Sequence, residues 1–301
     1  MTVAPATAPI TIAGGMVLVA LLWALCFPLI VMGGSAAEPL LFAALRAFLA
    51  GGLLVALAVI AGAWRWPGWR DLGELTLIGL CFTAIGFGGM FLGAEKLTTG
   101  IATVLANVQP LIAALLAFWC LKETLTARML SGLVIGFAGV VVLAFPDLQF
   151  DGGHATGALY VVGAALGTAL GNVLLKRRSG SDAIWLPMGL QLLIGGGMLA
   201  LASLAVGESW TIRWTWTFAG ALFALSIPAT ALMVVLWYSL LARAPLTRLN
   251  GFTFLTPAFG LAIGATVMGE RIGIVEMIGI AIMLVGIALL FSTGKVMRWR
   301  T

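Results

Sequence analysis

The sequence predicts an all-α integral membrane protein whose ten transmembrane helices form two inverted five-helix repeats. Three observations predict it. Hydrophobic residues make up 62% of the chain and charged residues 9%, against about 25% charged in soluble domains, so no water-soluble surface can be built. Charge-free runs recur at 2–37, 47–64, 75–94, 97–121, 129–146, 155–175, 183–207, 214–242, 249–269 and 277–294, most of them near the roughly 20 residues that cross a bilayer as a helix. Finally, the stretch 106–123 (ANVQPLIAALLAFWCLKE) lies on 253–270 (TFLTPAFGLAIGATVMGE) without a gap. At this offset of 147, Pro110 falls on Pro257, Glu123 on Glu270, Gly132 on Gly279 and Gly139 on Gly286. Proline, acid and glycine have distinct backbone and charge roles, so their coincidence in one register marks an internal duplication.

The halves are 1–146 and 147–301, joined by the polar segment Asp147 to His154. Residues 1–9 form a short tail, and the first hydrophobic segment lacks the basic leader of a signal peptide, so it is retained as a span. Span 1, about 11–33, holds Trp23, Phe27 and Pro28. Span 2, about 39–62, opens on Pro39, a first-turn residue, and contains Arg46. Trp64, Trp66 and Trp69 then form a loop suited to the membrane interface. Span 3, about 73–93, is glycine-rich, and span 4, about 97–121, carries the first duplicated motif. Span 5, about 128–146, has the GxxxG pair Gly132 and Gly136, which lets a second helix approach closely.

In the second half, span 6, about 155–175, sets Gly163, Gly167 and Gly171 on one helix face and ends in Lys176, Arg177 and Arg178. Span 7, about 184–206, contains Gln191 and three consecutive glycines. Span 8, about 215–241, contains Pro228, Trp237 and Tyr238. Span 9, about 246–267, repeats the motif, and span 10, about 273–292, precedes a short basic tail.

With ten spans, twelve Lys and Arg fall on the side of both termini and three on the other, with Arg46 inside a span. Such a bias predicts cytoplasmic termini. Five is odd, so two homologous five-span units cross the membrane in opposite senses, an arrangement typical of secondary transporters. The net charge of +5 follows from these short loops and points to no nucleic-acid partner. Cys26, Cys81 and Cys120 lie in three different spans and His154 is the single histidine, so neither a metal site nor another cofactor is expected. There is no GxxxxGK[ST] for ATP and no HExxH. The few acids are scattered, which argues against a membrane-embedded enzyme; a non-transporting membrane subunit is the other alternative, and would lack a solvated cavity between the halves.

These features together resemble the EamA family of the drug/metabolite transporter superfamily. The resemblance rests on WALCFPLIVMG from Trp23, LRAFLAGG from Leu45, and the LKE and MGE turns at Glu123 and Glu270, and it covers essentially the whole chain. It implies transport of a small metabolite, often export of amino acids and related compounds, around a cavity between the halves of a bacterial inner-membrane protein. Span 1 commonly ends in a basic residue in that family; Met32 and Gly33 stand there in this chain.

Against that background, Trp23, Phe27, Arg46, Phe87, Phe91, Asn107, Gln109, Asn172, Trp237, Tyr238, Thr253 and Thr256 are the candidate cavity residues. Rings with amides suit an amphipathic zwitterion, although each ring alone could equally pack against a helix or lipid. Mid-span prolines Pro110 and Pro257 should kink their helices and free the carbonyls of Ala106 and Thr253, either lining a hinge or forming a static bend. Arg46 could hold a substrate carboxylate, snorkel outward, or pair with helix carbonyls. Glu123 and Glu270 read as caps for the helices that follow them, spans 5 and 10, with proton coupling as the alternative role. Gly260 and Gly264 read as helix packing. Monomer and homodimer both remain open, and the surrounding partner is the lipid bilayer.

Overall fold

The computed structural model describes residues 9–64, 66–145, 155–180, 184–267 and 272–291. The expected junction at Asp147 to His154, the acid Glu270 and the basic tail lie outside the described residues.

In the first half, α1 (Pro9–Ala24) and α2 (Cys26–Gly34) make span 1 and α3 (Pro39–Ile60) makes span 2. Span 3 runs through α4 (Trp69–Ile78), a π-helix (Gly79–Ile85) and α5 (Gly86–Ala94). Span 4 is split into α6 (Thr99–Ala106) and α7 (Gln109–Leu121), and α8 (Ala127–Ala144) is span 5. The second half repeats the pattern. Spans 6 and 7 are α9 (Ala155–Arg178) and α10 (Trp185–Ala205). Span 8 joins α11 (Trp216–Ser226), a second π-helix (Ile227–Leu232) and α12 (Met233–Leu241). Span 9 is split into α13 (Leu246–Phe252) and α14 (Leu255–Val267), and α15 (Ile274–Phe291) is span 10. Among the described residues, nine of these spans are each long and apolar enough to cross a membrane, and α13 with α14 supplies the tenth.

The interruptions recur in register: a π-helix in the third span of each half and a break in the fourth. The break corrects the expected proline kink. Pro110 is the second residue of α7 and Pro257 the third of α14, first-turn positions where a missing N–H costs little. The chain stops and restarts rather than bending. Nor is the Thr253 carbonyl left free, because Thr256 N donates to it at 3.0 Å.

Small residues set the long pairings. Span 2 lies along span 7, and span 5 along span 10. A Cβ on Gly51 would sit 2.9 Å from the Gly189 carbonyl, and one on Gly132 would sit 2.8 Å from that of Gly286, so the backbones themselves touch. Outward the bundle shows Ile60, Leu201 and Ile274 to lipid. Exposed tryptophans ring both ends, Trp64, Trp66 and Trp69 at one and Trp210, Trp214 and Trp216 at the other, as interfacial belts do. The end with Trp64 also carries Lys122, Arg128, Lys176 to Arg178, Arg243 and Arg248, and is termed the basic face below.

The opposite face carries Glu38, Glu95 and Glu208. The Glu208 carboxylate accepts from Leu40 N and Leu41 N, each at 3.0 Å, and so caps α3 from the second half of the chain. Burial, then the like charges of Glu38 and Glu208, raise the Glu95 carboxyl above its ordinary value, with Lys96 pulling the other way. A carboxyl raised by folding costs stability while ionised. That cost is relieved as pH falls through its folded value and is gone below its unfolded one. Glu95→Gln is therefore expected to raise the thermal midpoint at pH 7 and to flatten its rise towards pH 5. A lower midpoint in the variant at pH 7 contradicts this.

Candidate functional site

A cavity of about 650 Å³ lies between the two halves. Trp23 and Phe27 of span 1, Arg46 of span 2 and Phe87 of span 3 line it, with Asn107, Gln109 and Pro110 of span 4. From the second half come Thr168 of span 6 and Thr253, Thr256, Pro257 and Gly260 of span 9. Pro110 and Pro257, with Asn107 and Thr253 beside them, thus border one cavity. Its lining extends to Met32, Thr98 and Ala144, which lie at helix ends away from the basic face.

Arg46 is fully buried. Its Nε donates to Thr230 Oγ1 at 2.7 Å, and its Nη2 reaches Cys26 Sγ at 3.3 Å and the Ala229 carbonyl at 3.4 Å. The guanidinium carbon stands 4.2 Å from the centre of the Phe87 ring, a cation–π contact. The π-helix of span 8 is what brings Ala229 and Thr230 to face it. The arrangement has a mirror in the other repeat. Gln191, buried in span 7, accepts from Thr83 Oγ1 at 2.7 Å in the π-helix of span 3, and Thr83 and Thr230 are themselves 147 residues apart. Thr83, Thr230 and Cys26 were missed by sequence reasoning, although the offset could have singled out the threonine pair.

Four candidates lie off the cavity, and each has a reason. Asn172 Oδ1 accepts from Trp237 Nε1 at 2.9 Å, both fully buried between spans 6 and 8. Tyr238 O–H donates to the Arg178 carbonyl at 2.9 Å. Phe91 packs edge-on against Phe42, centroids 5.2 Å apart. Trp237 packs behind Trp23 instead of lining the cavity, the two rings 5.7 Å apart. Gly260 differs from its packing role in the opposite way: no heavy atom lies within 4 Å of a Cβ built there, and it lines open space.

Below the cavity the basic face is closed by bonds between the halves. Gln109 Nε2 donates to Asn250 Oδ1 at 2.9 Å. Glu123 accepts from Leu246 N at 2.6 Å, Thr247 N at 3.0 Å and Thr247 Oγ1 at 2.9 Å. It therefore caps α13 and not span 5, whose N-terminus is capped by Thr126 Oγ1. Lys122, in the left-handed region at φ 57°, turns the chain there. Within the second half, Lys176 Nζ donates to the carbonyls of Leu241 and Ala244 at the end of α12; between the halves the closure continues at Arg178. Arg178 bridges Asp71 at 2.9 Å and Glu74 at 3.0 Å.

Inverted five-span repeats around a mid-membrane cavity define the architecture of a membrane transporter. The comparisons with known proteins carry this to a family. The EamA-like transporter family matches residues 11–145 and again 155–292, and the chain belongs to it. It is 26% identical to the uncharacterized transporter YvbV of Bacillus subtilis (strain 168), over 91% of this chain and 90% of that protein. It is 26% identical to Protein PecM of Dickeya dadantii (strain 3937), over 86% of each. A solved crystal structure shares the fold with a TM-score of 0.77 at 18% identity, covering 93% of this chain and 97% of its own.

Proposed function

We propose that the protein is a secondary transporter that moves a small amphipathic metabolite, an amino acid or related compound, by alternating access between its two halves. Transport out of a bacterial cell across the inner membrane, with both termini cytoplasmic, is the direction we infer. The observation that carries the reading is the cavity itself: both repeats line it, and one end is closed by contacts between them. The Lys and Arg bias assigns the basic face to the cytoplasm, so this conformation faces outward. Rings from span 1 and span 3 with the amides of Asn107 and Gln109 suit a substrate with an apolar body and a polar end. A membrane enzyme would gather several ionisable groups at one depth; among the described residues Arg46 alone lines the cavity with a charge. Untargeted metabolomics on cells with and without the gene, followed by flux into liposomes holding the purified protein, tests the proposal. No protein-dependent flux of any metabolite that changes would end it.

Alternating access requires the closed end to open. Removing the Glu123 carboxylate strands two backbone N–H groups at the start of α13, worth about 1–3 kcal/mol. In a Cys120→Ser background carrying Thr253→Cys, Glu123→Ala is expected to speed labelling from the basic face about tenfold. Labelling unchanged from that face contradicts a role for Glu123 in closure.

A further inference from the structure

We propose that the substrate is an organic monoanion and that Arg46 Nη1 is the donor on which its carboxylate docks; this rests on the transport reading above. Two of the guanidinium nitrogens are fixed by Thr230, Cys26 and Ala229, and the ring of Phe87 lies against the group. The third, Nη1, is buried without a hydrogen-bond partner among the described residues, in a side chain that lines the cavity. Burying a guanidinium without a counter-charge is costly. No carboxylate among the described residues lines this cavity, so an anion that occupies it would supply the compensating charge.

The duplication supplies an internal control. At the matching place in the other repeat Gln191 Oε1 accepts from Thr83 Oγ1, where Arg46 Nε donates to Thr230 Oγ1; Gln191 also leaves a buried donor, Nε2, without a partner among the described residues, but it carries no charge and lies off the cavity. The fold needs a hydrogen bond at this junction between spans and a neutral amide provides it. The charge on Arg46 is therefore extra to packing and sits on the one member of the pair that meets the cavity. A second buried polar atom without a partner, Thr256 Oγ1, belongs to the same lining from the other half. It offers a neutral contact, as Asn107 does. A guanidinium already held in place loses little freedom on binding, so the carboxylate should account for much of the affinity. An ammonium would add a second positive charge to a cavity that already holds one. That ranks carboxylates whose amine is absent or acylated above free amino acids.

Three probes of one shape separate the cases: N-acetylphenylalanine, a monoanion; phenylalanine, a zwitterion; and N-acetylphenylalaninamide, which is neutral. Binding to the wild type in lipid nanodiscs is read by thermal shift and by tryptophan fluorescence, for which Trp23 is placed on the cavity. The monoanion is expected to bind at least about tenfold tighter than either of the others, the scale of a charge-assisted hydrogen bond. Arg46→Gln, which copies the amide of Gln191, should melt like the wild type and lose that preference. Equal affinity for anion and neutral amide in the wild type overturns the proposal, as does an unchanged preference in Arg46→Gln or no binding of the monoanion. Displacement by millimolar sodium chloride, at constant ionic strength in sodium phosphate, assigns the site to an inorganic ion and also overturns it. The transport reading fails separately. Flux of a neutral or zwitterionic metabolite would keep transport and reject the anion, whereas anion binding without flux of anything would do the reverse.

Discussion

Gly260→Trp is expected to abolish transport, by at least about a hundredfold, while leaving the protein folded. The position lines the cavity from span 9, and a Cβ there meets no heavy atom within 4 Å. An indole is among the largest side chains, and from this helix it can point only into the space that the substrate needs. Replacing glycine inside a helix also removes a backbone entropy cost of about 1 kcal/mol, so the fold has no reason to suffer. The measurement is flux into liposomes beside a size-exclusion profile and a thermal midpoint of the same preparation. A folded variant that transports at the wild-type rate would show that the pathway runs elsewhere.

The same residue shows where sequence reasoning stops. GxxxG spacing says that two glycines share a helix face, but not whether that face meets another backbone or a cavity. In span 5 it meets span 10; at Gly260 it meets open space. The fold was legible because charge is so scarce: apart from Arg46, inside α3, the described acids and bases lie at or near helix ends, and the odd span count turns a duplication into an inversion. Arg46, Asn107, Gln109, Thr253 and Thr256 were legible as cavity-lining residues by chemical type, since polar groups inside an apolar span need a wet or bonded surrounding, although Asn172, of the same type, found its surrounding in Trp237 instead. Aromatic residues carry no such constraint. Nothing local says that Trp237 turns to Asn172 or Phe91 to Phe42, because half of each helix faces protein anyway. The role of Glu123 was hidden for another reason. It caps a helix that begins 123 residues later, and capping rules read along the chain could only offer it the helix next in line. The π-helices leave no compositional trace, yet they are what turns Thr83 and Thr230 toward the second spans of opposite halves.

Gly139→Leu is expected to leave little or no folded protein, with Gly139→Ala a milder loss of the same sign. Gly139 sits on α8 where it crosses α15, and a Cβ there would lie 2.5 Å from Met283 N and 2.8 Å from the Gly279 carbonyl. Both are backbone atoms of a helix, so neither can swing aside as a side-chain tip would. The two helices must separate, and separation forfeits contacts along the whole pair, including Gly132 against Gly286. Lipid tails are as apolar as the helix surface, so no hydrophobic gain holds such helices together and close packing has to do so. Overpacking alone costs about 1–3 kcal/mol, a large share of the about 5–15 kcal/mol that keeps a protein folded, and a branched side chain against backbone belongs at the upper end. Gly163→Ala in α9 is the matched control: nothing lies within 4 Å of its Cβ, so helix propensity should make it neutral or slightly stabilising. Thermal midpoints in one detergent decide the matter. If both alanine variants melt alike, the α8–α15 contact is not held by the absence of a side chain at Gly139.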